Sequence, residues 1–261
     1  MKHKTIKNIL IGLILFFLYL PIIVLIIYSF NTSKMNVIFE GFTLSWYKDL
    51  FLNRTLIEAF INTIIIAITS TIISTIIGTL AAIGLYRYNF KFKNFINLLL
   101  YIPIVIPEIV LGISLLSIYT LTKMELGMQT LILSHIAFSI PFVIVSVRST
   151  LSKQLDTYEE AAKDLGANSF NTFFKVTLPL IMPGVISGAT LAFTLSLDDV
   201  VISYFTAGPG SNTLPLQIYS MIKTGISPDV NALTTLMLLV IMIVLTTSTI
   251  IQGRKVVGGK K

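Results

Sequence analysis

The chain has no cysteine among its 261 residues. That absence excludes disulfides, cysteine-ligated zinc, iron–sulfur clusters and thiol catalysis. Charge is also scarce: 12% of residues are Asp, Glu, Lys or Arg, against roughly 25% in soluble domains. Histidine occurs only at His3 and His135, without the spacing of metal ligands and without an H-E-x-x-H motif, so no metal centre is expected. No G-x-x-x-x-G-K-[ST] motif is present, so no loop of this chain is built to cradle ATP phosphates. An intramembrane enzyme would have to draw its nucleophile, base or ligands from Glu108, His135, Asp198 and Asp199 alone.

Hydrocarbon fills the space that charge leaves. Hydrophobic residues make up 54% of the chain and the mean hydropathy is +0.87. Crossing a bilayer takes about 20 residues of helix, and six charge-poor stretches are long enough. Spans are expected at about 9–30, 59–86, 95–120, 128–148, 178–204 and 230–252. The run "INTIIIAITSTIISTIIGTLAAIGLY" (61–86) lacks the period-two alternation of a membrane β-strand. The expected fold is therefore an all-α membrane protein, one domain over residues 1–261 with six transmembrane helices. The leader "MKHKTIKN" is basic, but the apolar run behind it is longer than a signal peptide's and lacks a small-x-small cleavage site. It reads as a retained helix.

The 19 Lys and Arg residues divide unevenly between the connections. Fourteen fall in the N-terminus, the second and fourth connections and the C-terminal tail, and five fall in the alternate loops. The positive-inside rule then places both termini in the cytoplasm. The net charge of +7 is on this reading a signal of topology, and no nucleic-acid partner is expected. Small residues at Ser70, Thr71, Ser74, Gly78, Ala81 and Ala82 suit close helix packing. Pro103 and Pro107 predict a kink in the third span. In the outer connection, a short helix is expected over 214–223, and Ser227 should cap the last span with Pro228 at its first position.

One segment departs from the hydrocarbon: "EEAAKDLGANSFNTFFKVTLP" (159–179), between spans four and five on the cytoplasmic side. Thr157 and Glu160 have the spacing of a capping box, a cap worth about 1 kcal/mol. Ala161, Ala162 and Leu165 form a small apolar face, and Gly166 stops the helix. A second short helix is expected from Asn168, with Phe170, Phe173 and Phe174 on one face, so that cytoplasmic helices cover 157–176. The plain alternative is a helix hairpin lying on the membrane surface. It accounts for the aromatics better than for the small-faced first helix, which fits a shallow cleft on another protein.

Glu160-Ala161-Ala162, then Gly166, Val176 and Leu178-Pro179 resemble the E-A-A, G, I-x-L-P signature of ABC importer permeases. Every spacing matches, with Val in place of Ile. The six-span layout resembles the type I importer permeases over nearly the whole chain. The resemblance implies that these seven residues couple the membrane domain to a separate ATPase, which binds ATP and Mg. It also implies a bacterial cytoplasmic (inner) membrane location, and a non-catalytic subunit that binds no cofactor of its own.

Acids within membrane spans are costly, at roughly 2.5–3.5 kcal/mol each on insertion scales, and are functional candidates by default. Glu108 follows Pro107 in span three, and Asp198 and Asp199 lie toward the outer end of span five. Two adjacent carboxylates repel each other, and a long polyamine arriving from outside could bridge from them toward Glu108. Trp46, Tyr204 and Tyr219 offer rings for cation–π contact. The competing reading pairs the acids with basic residues of a partner subunit or lets them snorkel to the interface. The stretch "LAFTLSLDDVVISYFTAGPGSNTLPLQIYSMIKTGISPDVNAL" (191–233) resembles spermidine/putrescine permeases of the PotC type. That likeness implies a second permease subunit, two ATPase copies, an extracytoplasmic polyamine-binding protein and surrounding lipid. Two other kinds of transport remain open. One is an importer of this class for an iron chelate or an opine. The other is a secondary transporter, which would have no use for the coupling signature.

Overall fold

The computed structural model describes residues 2–33, 38–224 and 228–258. Ser227, the expected cap of the last span, lies outside the described residues. Among the described residues, twelve α-helices and one π-helical turn appear in chain order. They are α1 (Lys2–Tyr28), α2 (Ser45–Leu52), α3 (Arg54–Arg87), α4 (Lys93–Val105), α5 (Glu108–Leu121) and α6 (Met128–Arg148). There follow α7 (Lys153–Asp164), α8 (Ser169–Thr172), the π turn (Phe173–Thr177), α9 (Leu178–Asp198), α10 (Val201–Thr206), α11 (Leu214–Thr224) and α12 (Pro228–Gly258). Among the described residues there is no strand, only an isolated bridge between Asn31 and Phe42. Among the described residues, five helices are long and apolar enough to cross a membrane, and a sixth crossing is available if α4 and α5, bent by 112°, form one span.

The described residues form two compact units, 1–57 with 217–241 and 58–216 with 242–261. In the first, Asn31 organises the loop after α1. Its side chain donates to the Ile38 carbonyl at 2.8 Å and accepts from the Glu40 amide at 2.9 Å. Its own carbonyl accepts the Trp46 indole N–H at 2.7 Å. Phe30 stacks on Phe42 and packs against Tyr47. Tyr219, in α11, has the Lys223 ammonium 4.5 Å from its ring centroid.

In the second unit, α6 is the central post. Its buried face carries Leu131, His135, Phe138, Val143, Ile144 and Val147, and α9 packs along it. Small residues make this possible: Gly184, Gly188 and Ala192 are buried at four-residue intervals on α9, the small-xxx-small pattern of close membrane helices. A Cβ on Gly188 would lie 3.1 Å from the Val143 Cα, and one on Gly78 of α3 would lie 2.7 Å from a Val143 methyl. Val143 is therefore held against two glycines on two helices. Ser70 and Ser74 share the buried stripe of α3 with Ala67 and Ala82, and Ser70 reaches Ser196 of α9 at 3.2 Å. The hydroxyl of Ser146 on α6 donates to the Gly184 carbonyl at 3.0 Å.

Two breaks interrupt the bundle. Residues 106–107 separate α4 from α5: Ile106 is extended at ψ 140°, as the ring of a following proline favours, and Pro107 has no amide with which to continue the helix. The second break lies at Asp199, also extended at ψ 126°. Here the fifth span, read from the sequence as running to 204, ends instead at Asp198 and restarts as α10. The turn after α10 is closed by Gly208, whose Cβ would lie only 1.8 Å from the Leu126 carbonyl oxygen; this is a contact that only glycine permits.

Candidate functional site

The charged segment folds differently from the sequence reading at its start. α7 begins at Lys153, four residues before Thr157, with Ser152 in the extended capping position. The expected Thr157–Glu160 capping box does not form; the Thr157 hydroxyl bonds back to the Lys153 carbonyl at 3.3 Å. The helix end is as read. Gly166 adopts φ +84°, its amide reaches the Lys163 carbonyl at 2.8 Å, and the Ala167 amide reaches the Ala162 carbonyl at 3.0 Å. These paired bonds are a Schellman motif, and they fix the angle at which α7 turns into α8. Asn168 caps α8 by accepting from the Asn171 amide at 2.8 Å. The second helix is no separate element: α8 runs through the π turn into α9, with Pro179 in the first turn of α9.

This segment has two faces. Leu155 is buried, and Phe173 and Leu178 pack with it against the core of α3, α6 and α9. Tyr158, Glu160, Ala161, Leu165 and Phe170 face outward, with Leu165 90% exposed and Phe170 69% exposed. Phe170 packs against Phe174 at a tilt of 47°, with 4.5 Å between ring centroids, so the expected single aromatic face divides, Phe173 inward and the other two outward. Ala162 and Val176 lie half-buried at the boundary. The adjacent acid Glu159, which sequence reasoning passed over, is buried at 7% exposure. It accepts hydrogen bonds from Arg87 at the end of α3 and from the Thr177 hydroxyl. Helical spacing signals this position, because Leu155, Glu159 and Ala162 share one face of α7 at intervals of four and three residues.

The acids in the spans separate into two roles. The Asp199 carboxylate is buried and caps α10: it accepts from the Ile202 amide at 3.1 Å, the Ser203 amide at 2.7 Å and the Ser203 hydroxyl at 2.8 Å. His135 of α6 lies 3.5 Å from it and bonds Ser196 at 2.6 Å and Ser203 at 3.1 Å. His135 is thus a helix-joining residue held by three neighbours. Asp198, one residue earlier, is exposed, as are Glu108 and Tyr204. Asp198 is the last residue of α9, and Glu108 is the first residue of α5. Glu108 opens α5, where the helix dipole favours an acid; Phe205 of α10 packs on Gly112 of α5, and the exposed Tyr204 ring sits edge-on to Phe205 at 5.4 Å between centroids. The structure therefore leaves Asp198 and Glu108 exposed, each at a helix break, and withdraws Asp199 into the packing. Trp46 and Tyr219 belong to the other unit, where each ring already has a partner. Among the described residues no cluster of His, Asp or Glu could hold a metal ion.

Similarity to known proteins follows the same outline. Residues 74–257 match the family model described as "Binding-protein-dependent transport system inner membrane component". The chain is 44% identical over 242 residues to the spermidine/putrescine transport system permease protein PotC of Escherichia coli strain K12, covering 93% of this chain and 92% of that protein. It is 41% identical over 254 residues to PotC of Haemophilus influenzae, covering 97% and 99%. It is 40% identical over 229 residues to the putrescine transport system permease protein PotI of E. coli K12, covering 85% and 82%. Among solved structures, a bacterial ABC transporter involved in import of the acidic polysaccharide alginate superposes with a TM-score of 0.71 at 15% identity, over 95% of each chain. The MetNI methionine ABC transporter superposes with a TM-score of 0.64 at 19% identity, over 77% of this chain and 95% of that one. The chain belongs to the binding-protein-dependent transport system inner membrane components, as a multi-pass permease subunit with the fold of the type I ABC importers.

Proposed function

We propose that this subunit forms half of the translocation path of a polyamine importer, with both termini on the cytoplasmic side. The substrate class is supported by likeness along almost the full length of PotC and PotI. The geometric observation that carries it is the exposure of two carboxylates at helix breaks, Asp198 where α9 ends and Glu108 where α5 begins, with α10 after the first break packed on α5. In membrane transporters, unwound backbone and the C-terminal ends of half-helices coordinate cations. Here α9 ends at Asp198, so the partial negative charge of that helix end adds to its carboxylate. An extended cation with amines at both ends suits that arrangement, and an oxyanion does not.

On this reading the outward face of 157–176, with Glu160, Ala161 and Leu165 exposed, seats in a cleft of one of two ATPase copies. Gly166, Val176, Leu178 and Pro179 set how that face joins α9. A second permease subunit supplies the other half of the path, and an extracytoplasmic binding protein delivers the polyamine to the outer loops. ATP binding closes the ATPase pair, the 157–176 segment carries that closure to the spans, and hydrolysis resets it.

The test is uptake of labelled spermidine into proteoliposomes holding the complete complex, with ATP inside and binding protein outside. ATP-dependent uptake that unlabelled putrescine competes away, and that falls several-fold in Asp198→Asn and Glu108→Gln, is expected. An intact, ATP-hydrolysing complex that takes up another solute and ignores polyamines would overturn the substrate assignment.

A further inference from the structure

We infer that Glu159, held by Arg87 and Thr177, is the joint through which movement of the coupling segment reaches the spans, a role distinct from that of its neighbour Glu160. The inference rests on the coupling role proposed above for 157–176.

Glu160 is exposed on the outer face of α7, whereas Glu159 points inward. Its carboxylate accepts from the Arg87 guanidinium at the last residue of α3 and from the Thr177 hydroxyl at the last residue of the π turn. One side chain on α7 therefore holds the ends of two membrane helices, α3 directly and α9 through the turn that precedes it. A second bond runs parallel to it: the Tyr86 hydroxyl donates to Asp156 at 2.8 Å. Asp156 and Glu159 are three residues apart, on neighbouring positions of one helix face, and Tyr86 and Arg87 are adjacent on α3. The segment is thus pinned at two points and cannot slide along α3 without breaking both.

The place of the joint on α9 is informative. π turns in otherwise α-helical chains insert one residue out of register and recur at functional sites. The Thr177 hydroxyl lies 3.4 Å from the Thr172 carbonyl, five residues back, as well as bonding Glu159. Glu159 therefore holds the last residue of the π turn. A carboxylate buried at this position costs desolvation, and it is tolerated because Arg87 compensates it. Packing alone would be served equally well by an apolar side chain next to Leu155. A charged, directional contact fixes which residues of α3 and the π turn move with α7, and so turns a push on the outer face into displacement of the spans.

The experiment compares Glu159→Gln, Thr177→Val and Glu160→Lys in the complete complex. Three quantities are read: co-purification with the ATPase subunit, the ratio of receptor-stimulated to basal ATP hydrolysis, and spermidine transported per ATP hydrolysed. Glu159→Gln should co-purify normally but lose most of its receptor stimulation and several-fold in transport per ATP. Thr177→Val, which keeps the volume and removes one hydroxyl, should shift both ratios in the same direction by less. The charge-swapped pair Arg87→Glu with Glu159→Arg should recover part of the stimulation that either single change loses. Native stimulation and transport per ATP in both Glu159→Gln and Thr177→Val would overturn the inference, as would loss of co-purification in Glu159→Gln to the extent seen for Glu160→Lys, which would make Glu159 part of the docking face. Failure of the coupling role itself has a different signature: Glu160→Lys would assemble and transport normally.

Discussion

Asp198 and Asp199 are adjacent in sequence, yet replacing them should have opposite consequences. The Asp199 carboxylate accepts three hydrogen bonds, from the Ile202 amide and from the amide and hydroxyl of Ser203. Removing an N-cap carboxylate costs about 0.5–2 kcal/mol, and an unsatisfied buried donor adds about 1–3 kcal/mol. The Ser203 hydroxyl keeps its contact with His135 at 3.1 Å, which places Asp199→Ala toward the lower part of that sum, at about 2–3 kcal/mol. At roughly 2–4 °C per kcal/mol for a chain of this size, the midpoint should fall by about 4–12 °C. Asp199→Asn, which keeps one carbonyl acceptor, should lie between Ala and native. Asp198 is exposed, and Asp198→Asn should change stability by no more than about 0.5 kcal/mol, while spermidine uptake falls. Thermal unfolding of the detergent-purified complex, followed by intrinsic fluorescence and size-exclusion recovery, reads the first quantity and proteoliposome uptake the second. Equal destabilisation by Asp198→Asn and Asp199→Ala would refute the division of roles between the two acids.

Other consequences follow from close contacts and backbone geometry. Gly188→Leu should separate α6 from α9, because even its Cβ would lie 3.1 Å from the Val143 Cα; membrane yield of folded protein should drop sharply, and native yield would contradict the packing. Gly208→Ala would set a methyl group 1.8 Å from the Leu126 carbonyl oxygen, so the turn must move and recovery of folded protein on size exclusion should fall. Gly166→Ala forces a residue with a Cβ into φ +84° at a cost of about 1–2 kcal/mol; transport per ATP should decline while the spans still insert.

Much of this architecture was legible from composition and spacing. Long charge-free runs mark the membrane helices, Pro107 marks the bend between α4 and α5 while Pro103 lies within the unbroken α4, and Gly166 marks the end of α7. The short helix over 214–223 appears as α11. The start of α7 was misread because Thr157 has capping chemistry wherever it sits, while Lys153 to Asp156 carry no comparable signal apart from Ser152 ahead of them. Which of Glu159 and Glu160 turns inward was obscured by attention to the E-A-A spacing, although the face shared with Leu155 carries the answer. The break at Asp199 was hidden by the apolar residues on both sides of it. An Asp ahead of "VVIS" is an N-cap signature, but in a membrane span the cost of an acid draws the eye to substrate first. The pairing of His135 with Ser196 and Ser203 joins residues more than 60 positions apart, and no local pattern encodes that.

The central claim is that an exposed, capped cytoplasmic segment passes work from an ATPase to a path lined by acids. The most direct test is ATP hydrolysis by the reconstituted complex, with binding protein present and spermidine added or withheld. The account predicts that spermidine-loaded binding protein stimulates hydrolysis and that Glu160→Lys abolishes the stimulation. Hydrolysis stimulated as strongly in Glu160→Lys as in the native complex would contradict it.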